Sequence, residues 1–368
     1  MGGILGRRSG LARCEPVWRT SNSGFHRSLD RALMGGNMPE HFSSINSTLS
    51  ADALLRVVLP AFSIGAATRC RLHYIGVNDT YVVTTADTKR YVLRVYRAAW
   101  HTLDNILYEL DALLHLRDSG VPVSFPLPLR NGQYAYPIEA PEGQRYAVLF
   151  TYADGREPTY EDRSEAVQYG RAVALMHEAS DAFSSLHSRR TLDEQELLYS
   201  PLSKVGPFLA SRPVDQEYLA RLSERLRVRL DALPVANLEK GFCHGDLHGV
   251  NAGVDGDGTV TFYDFDCCGT GWRAYDLAVF RWSAILRGNE KDMWPAYLEG
   301  YHQRRSLGEL DLSAVPLFVA VRHIWTMGLN ASIAGLFGDS WVNISYFDRE
   351  LGFVRRYETE ILRESQTG

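Results

Sequence analysis

The sequence predicts an α+β fold in two lobes, a small N-terminal lobe built on an antiparallel sheet and a large, mainly helical C-terminal lobe. Strand-period alternation dominates residues 72–96 and returns at 146–152, whereas helix-period apolar stripes take over after residue 164. The composition shifts near Asp154-Gly155, and no internal repeat is visible. At 368 residues the chain is long enough to bury a large core.

Residues 51–64 read as an amphipathic helix leading into the sheet. Residues 72–83 follow as strand, turn and strand, with Asn78-Asp79-Thr80 at the turn. Residues 90–96 alternate as a third strand, which puts Arg94 on the face of Val92 and Tyr96, opposite Leu93 and Val95. A helix over about 101–118 carries the stripe Leu103, Ile106, Leu107, Leu110, Leu113 and Leu114, with Glu109 beside it. Pro122, Pro126 and Pro128 end helical structure, and residues 146–152 read as the last strand of the small sheet. Residues 164–180 return to helical spacing. Residues 216–232 form a charged helix whose Arg221, Arg225, Arg227 and Arg229 read as a solvated face. Beyond Trp272 further helices are expected, one starting near Asp276 and others over 291–305, 315–336 and 346–364. An acidic residue in a first turn, as at Asp276, suits the helix dipole.

The chemistry concentrates in His244-Gly245-Asp246-Leu247-His248-Gly249-Val250-Asn251 and in Asp264-Phe265-Asp266, whose first residue lies thirteen positions beyond Asn251. Between them, Asp255-Gly256-Asp257-Gly258 reads as a tight turn joining two short strands, so Asp264 folds back beside Asn251. One carboxylate, an amide five positions on and a second carboxylate make a phosphoryl-transfer site. Asp246 would take the proton of an acceptor hydroxyl, and Asn251 and Asp264 would hold magnesium on the phosphates of a nucleotide. His244 is expected to hydrogen-bond backbone and fix the loop. Asp266 either orients the metal shell or caps the following loop. His177, His248 and His323 lack metal-ligand spacing and read as structural or surface residues.

These residues resemble the aminoglycoside phosphotransferase and choline kinase superfamily, whose fold is similar to that of protein kinases. His244, Asp246 and Asn251 match its H-x-D-x-x-x-x-N loop, and Asp264 stands at the Asp of D-F-G with Asp266 in place of Gly. Tyr275-Asp276-Leu277-Ala278 matches a further segment of the phosphotransferase branch, near the stress-response and homoserine kinase types. The resemblance implies a bilobal, protein-kinase-like fold and a kinase using Mg2+ and ATP, or GTP. It implies that the turn at Asn78 and Asp79 covers the phosphates, although G-x-G-x-x-G is missing. It places Arg94 at the position of the phosphate-gripping Lys, with Glu109 as its partner; a guanidinium fork still binds phosphate bidentately. The hinge after the last strand, Phe150 to Ala153 and including Thr151, would meet the base. Asp276 would brace the catalytic loop.

A net charge of -5 gives no reason to expect a nucleic-acid partner, and no apolar run suggests a membrane span. Cys14, Cys70, Cys243, Cys267 and Cys268 show no paired spacing and read as reduced thiols of a cytoplasmic protein. Residues 1–37, rich in Arg, read as a disordered extension, with 38–153 and 154–368 as the two lobes. The most direct acceptor is a small-molecule hydroxyl. A polycation would want an acidic pocket from Asp348, Glu350, Glu358 and Glu360, and a choline-like acceptor an aromatic cage from Trp272, Trp325, Trp341, Tyr346 and Phe347. A protein Ser/Thr kinase of the stress-response type and a nucleotide-binding pseudokinase are the alternatives.

Overall fold

Alternation along three strands divides the side chains of a single sheet between two cores. In the computed structural model, which describes residues 42–233 and 237–364, β1 (Ala67–Ile75), β2 (Asp79–Thr85), β3 (Arg90–Val95), β5 (Gly143–Thr151) and β4 (Tyr136–Ala140) lie in that spatial order, each antiparallel to its neighbour. Tyr81, Val83, Leu93, Val95, Ala147 and Leu149 point to the outer face. There they pack on Leu54, Val58 and Leu59 from the helical run α1 (Ala51–Ala53), Leu54–Val58 and Leu59–Ala61, and on Phe62 just beyond it. The opposite face carries Thr80, Val82, Val92, Arg94 and Phe150 and looks into a cleft. Arg94 therefore shares a face with Val92, as its spacing implied.

Helix α2 (Leu103–Asp118) is capped by Thr102, whose hydroxyl accepts from Asn105 N at 3.2 Å. Its Ile106, Tyr108, Leu110, Leu113 and Leu116 join the large core rather than the outer core of the sheet. Leu103, expected on the apolar stripe, is exposed because it opens the first turn. Strand β4 was not foreseen: Tyr136-Pro137-Ile138-Glu139-Ala140 contains a proline, which an edge strand tolerates because one side needs no ladder donor. The first helical run stops at Ala61, short of residue 64.

The C-terminal part is helical as expected, with α3 (Arg163–Ala179), α4 (Ser200–Val205), α5 (Pro213–Ala232), α6 (Arg273–Arg287), α7 (Glu290–His302), α8 (Glu309–Phe337) and α9 (Ile344–Glu364). Helices α3 and α7 cross at van der Waals distance because glycines meet there. A Cβ on Gly170 would stand 1.9 Å from Tyr297 O, and one on Gly300 1.8 Å from Val167 O. On α5, Arg221 and Arg227 pair within the helix, with Glu217 and with Glu224 and Asp231, as a solvated face requires. Arg225 instead reaches Glu358 on α9. By length and composition α8 is apolar enough to cross a membrane, contrary to the sequence reading, but 67% of its apolar window is buried inside the fold. It is the central helix of the large core, packed against α6 and α4.

Two small sheets carry the site: β6 (Lys240–Cys243) with β9 (Gly269–Trp272), and β7 (Ala252–Val254) with β8 (Val260–Phe262). Contacts divide the chain into Met1–Ser44 and Ile45–Gly368, and every element above belongs to the second. The expected extension 1–37 lies outside the described residues, as does Cys14. Cys70, Cys243, Cys267 and Cys268 are free thiols.

Candidate active site

The loop after β6 turns sharply at Gly245, where φ is +79° and a Cβ would meet Cys267 O at 2.2 Å, so only glycine fits. Buried Asp276, at the start of α6, accepts from His244 N at 2.7 Å and from Gly245 N at 2.8 Å. His177 Nε2 lies 3.1 Å from the same carboxylate and its Nδ1 3.0 Å from the Tyr301 hydroxyl. Burial holds the His177 pKa down, so this imidazole is a neutral strut rather than a surface group. Asp276→Ala strands two backbone donors in the core. Urea unfolding should show a loss of about 3 kcal/mol or more, and turnover should fall with it.

His244 does the work expected of it. Its Nδ1 accepts from Asp246 N at 3.3 Å, and its Nε2 lies 3.1 Å from Tyr263 O, tying the 244–251 loop to the segment that leads to Asp264. Burial depresses its pKa too, which suits one ring nitrogen accepting while the other donates.

Asp246 is held on both oxygens. Oδ2 accepts from Asn251 Nδ2 at 2.9 Å and lies 3.3 Å from His248 Nε2, while Oδ1 is ion-paired with Arg322 of α8. Burial would raise the Asp246 pKa, but Arg322 and then His248 overcome it and hold the carboxyl well below the usual carboxylate range. Asn251 Nδ2 also donates to Asp246 O at 3.0 Å, which leaves the amide oxygen as the atom to offer a cation.

The β7–β8 hairpin closes as its sequence implied: Tyr263 N donates to Asn251 O at 3.0 Å, so Asp264 emerges beside Asn251. Asp264 sits at φ 64° and ψ 58°, a left-handed conformation that L-residues adopt at a cost and that clusters at functional sites. Its Oδ1 accepts from Arg94 at 2.8 Å, and the other arm of the Arg94 fork donates to Glu109 at 2.7 Å. Desolvation at the cleft floor and the carboxylates of Asp266, Asp246 and Glu109 push the Asp264 carboxyl up against the pull of Arg94, even though 48% of its side chain is open.

Arg94, Glu109, Asp246, Asn251, Asp264 and Ala153 all line one cleft of about 820 Å³ between the sheet and the helical part. Asn251 and Asp264 fit a hard divalent ion by donor chemistry. Among the described residues no group of three or more His, Cys, Asp and Glu could hold a metal. These two would therefore share the ion with phosphate oxygens and water.

Three residues expected to meet the nucleotide do not line the cleft. Asp79 is buried with its carboxylate between Arg145 at 2.7 Å and Arg97 at 3.6 Å, so it fastens the sheet. Asn78 donates to Asp266 Oδ1 at 2.8 Å and accepts from Arg97 N at 3.2 Å. Thr151 spends its backbone and hydroxyl on Ser124 and Phe125, leaving Phe150, Tyr152 and Ala153 facing the cleft. Asp266 has Asn78, Trp100 and His101 as side-chain partners and so ties the β1–β2 turn to the segment that follows Asp264. His248 lines the cleft, a correction to its reading as structural or surface. Arg322 was missed, although one basic residue amid Val319-Ala320-Val321 and Ile324 was a legible signal.

The family model described as "Phosphotransferase enzyme family" matches residues 76–311. An uncharacterized protein of Deinococcus radiodurans is 37% identical over 321 residues, 86% of this chain and 92% of that one. A solved microcompartment-associated aminopropanol kinase is similar at a TM-score of 0.67 and 25% identity, covering 85% of this chain and 98% of that one. A solved amicoumacin kinase in complex with AMP-PNP, Ca2+ and Ami gives a TM-score of 0.69 at 19% identity over 86% and 94% of the two chains, a likeness of fold. The bilobal, protein-kinase-like α+β architecture thus agrees with the matched sequence pattern. The chain belongs to the phosphotransferase enzyme family and is a phosphotransferase with an alcohol group as its acceptor.

Proposed function

We propose that the chain transfers the γ-phosphoryl group of ATP or GTP to a hydroxyl of a small molecule, with a divalent ion held by Asn251 and Asp264. The observation that carries this is the meeting of Asp246, Asn251, Asp264 and the Arg94–Glu109 pair on one cleft. Arg94 would release Asp264 to the cation and swing its fork to the α and β phosphates, with Glu109 keeping it in place. Phe150, Tyr152 and Ala153 would flank the base. Asp246 would orient the acceptor O–H and take its proton as the oxygen bonds to phosphorus and the bond to the nucleoside diphosphate breaks. A magnesium ion there would supply charge neutralisation, so positioning and electrostatics carry most of the rate.

Of the four acids expected to form an acidic pocket, Glu360 lies outside the described side chains, and the other three argue against a polycationic acceptor. Asp348 is paired with Arg212, Glu358 with Arg225, and Glu350 with His323 and Arg349. A small alcohol with at most one ammonium group fits better, as the likeness to an aminopropanol kinase also suggests. The test is a panel of amino alcohols, hydroxy amino acids, choline and aminoglycosides, incubated with ATP or GTP and magnesium. Mass spectrometry should find a phosphate added to a small amino alcohol or hydroxy amino acid. Phosphorylation of aminoglycosides alone would overturn the acceptor assignment, and transfer to none would overturn the reading.

A further inference from the structure

Arg322 stands on the fourth turn of α8 within an apolar run and is 3% exposed. Asp246 is the only carboxylate ion-paired with it among the described residues. Its guanidinium is flanked by two indoles, 5.1 Å from the Trp282 ring centroid and 4.4 Å from that of Trp325, and NH1 lies 3.4 Å from Gly245 O. Trp282 is itself fixed by donating to His323 Nδ1 at 3.1 Å. The cation is thus clamped on two sides and aimed at one oxygen.

A buried ion pair is poor support for stability, because desolvating two charges offsets most of their attraction. What this pair supplies is geometry. Arg322 grips Oδ1 of Asp246, and Asn251 grips Oδ2 from the other side. Two donors from different elements fix both the position and the plane of the carboxylate. Oδ2 also lies 3.3 Å from Nε2 of His248, which lines the cleft, so an acceptor hydroxyl would meet the carboxylate at Oδ2 on the His248 side. Without Arg322 the side chain would be free to rotate about its χ2 angle and to present either oxygen.

We propose that Arg322 is a positioning residue for phosphoryl transfer, acting through Asp246 by reserving Oδ2 for the acceptor. The proposal rests on Asp246 as the residue that receives the acceptor proton, and its own signature lies in turnover rather than in nucleotide binding. Arg322 is not among the residues lining the cleft, so it makes no contact there that a nucleotide would lose.

The experiment compares full-length wild type, Arg322→Lys and Arg322→Ala for kcat, acceptor KM and nucleotide KM, with melting curves for each and added millimolar guanidinium for the alanine variant. Arg322→Ala should lose about a hundredfold in kcat and Arg322→Lys about tenfold, because a misplaced catalytic group costs on that scale. Nucleotide KM should stay within about twofold, since uniform binding is untouched. Guanidinium should restore part of the turnover of the alanine variant. If that variant does not fold, the lysine variant decides alone: kcat within about twofold of wild type overturns the proposal. A folded alanine variant that guanidinium does not help, or a loss that appears equally in nucleotide KM, overturns it as well. A wild-type chain that transfers no phosphate would instead overturn the kinase reading and this proposal together.

Discussion

Asp246→Ala should lower kcat by about a thousandfold while nucleotide affinity stays near that of wild type, because a positioned base contributes on that scale and the phosphate-side groups remain. Arg94, Glu109 and Asp264 reach the half of the cleft proposed for the nucleotide from β3, α2 and the segment after β8, and none depends on the Asp246 side chain. The variant carries a second consequence. Arg322 would be left buried without its counter-ion, which costs about 3–5 kcal/mol in comparable pairs. Stability and activity can be separated by adding Arg322→Met to Asp246→Ala. The double variant should regain most of the lost stability, since an apolar side chain suits the surrounding run Val319-Ala320-Val321. It should regain no turnover. Urea unfolding, steady-state kinetics and nucleotide calorimetry read the three quantities independently. Turnover of Asp246→Ala at the wild-type rate would remove this residue from the mechanism.

The residues legible in the sequence are those whose position follows from local geometry. Asp246, Asn251 and Asp264 sit on one loop and one hairpin, so spacing and turn chemistry suffice to bring them together. Arg94 was legible through strand alternation, and Glu109 through its place on the next helix. The N-terminal turn was misjudged for the opposite reason. Asn78 and Asp79 look like turn residues free to meet a ligand, but Arg97, Arg145 and Asp266 claim them, and those partners come from just after β3, from β5 and from far along the chain. Arg322 and His248 belong with them. The Arg322 contact depends on α8 packing beside the loop that carries Asp246, which no local pattern encodes, whereas His248 lies on that loop two residues from Asp246. Even so, a lone arginine in a buried apolar helix needs a partner, and its presence alone should direct attention to the nearest carboxylate.

Asp264→Asn should cost about a hundredfold or more in kcat/KM at moderate magnesium, an effect of about 3 kcal/mol. The substitution keeps size and one oxygen but removes the charge that pairs with Arg94 and that a divalent ion would seek. Raising magnesium should recover part of the loss, which separates this variant from Asp246→Ala, where magnesium should recover nothing. Folding should suffer little, because Arg94 retains Glu109 at 2.7 Å and the Asp264 side chain is half open to the cleft. The backbone supplies an internal check. A non-glycine residue at φ 64° carries a strain of about 1 kcal/mol, so Asp264→Gly relieves it while deleting the carboxylate. That variant should melt at or near the wild-type temperature and yet transfer no phosphate above the Asp264→Asn level. A strained residue whose removal leaves the fold intact and ends the chemistry is held in place for function. An Asp264→Gly protein with wild-type turnover and unchanged magnesium dependence would mean that the metal site lies elsewhere.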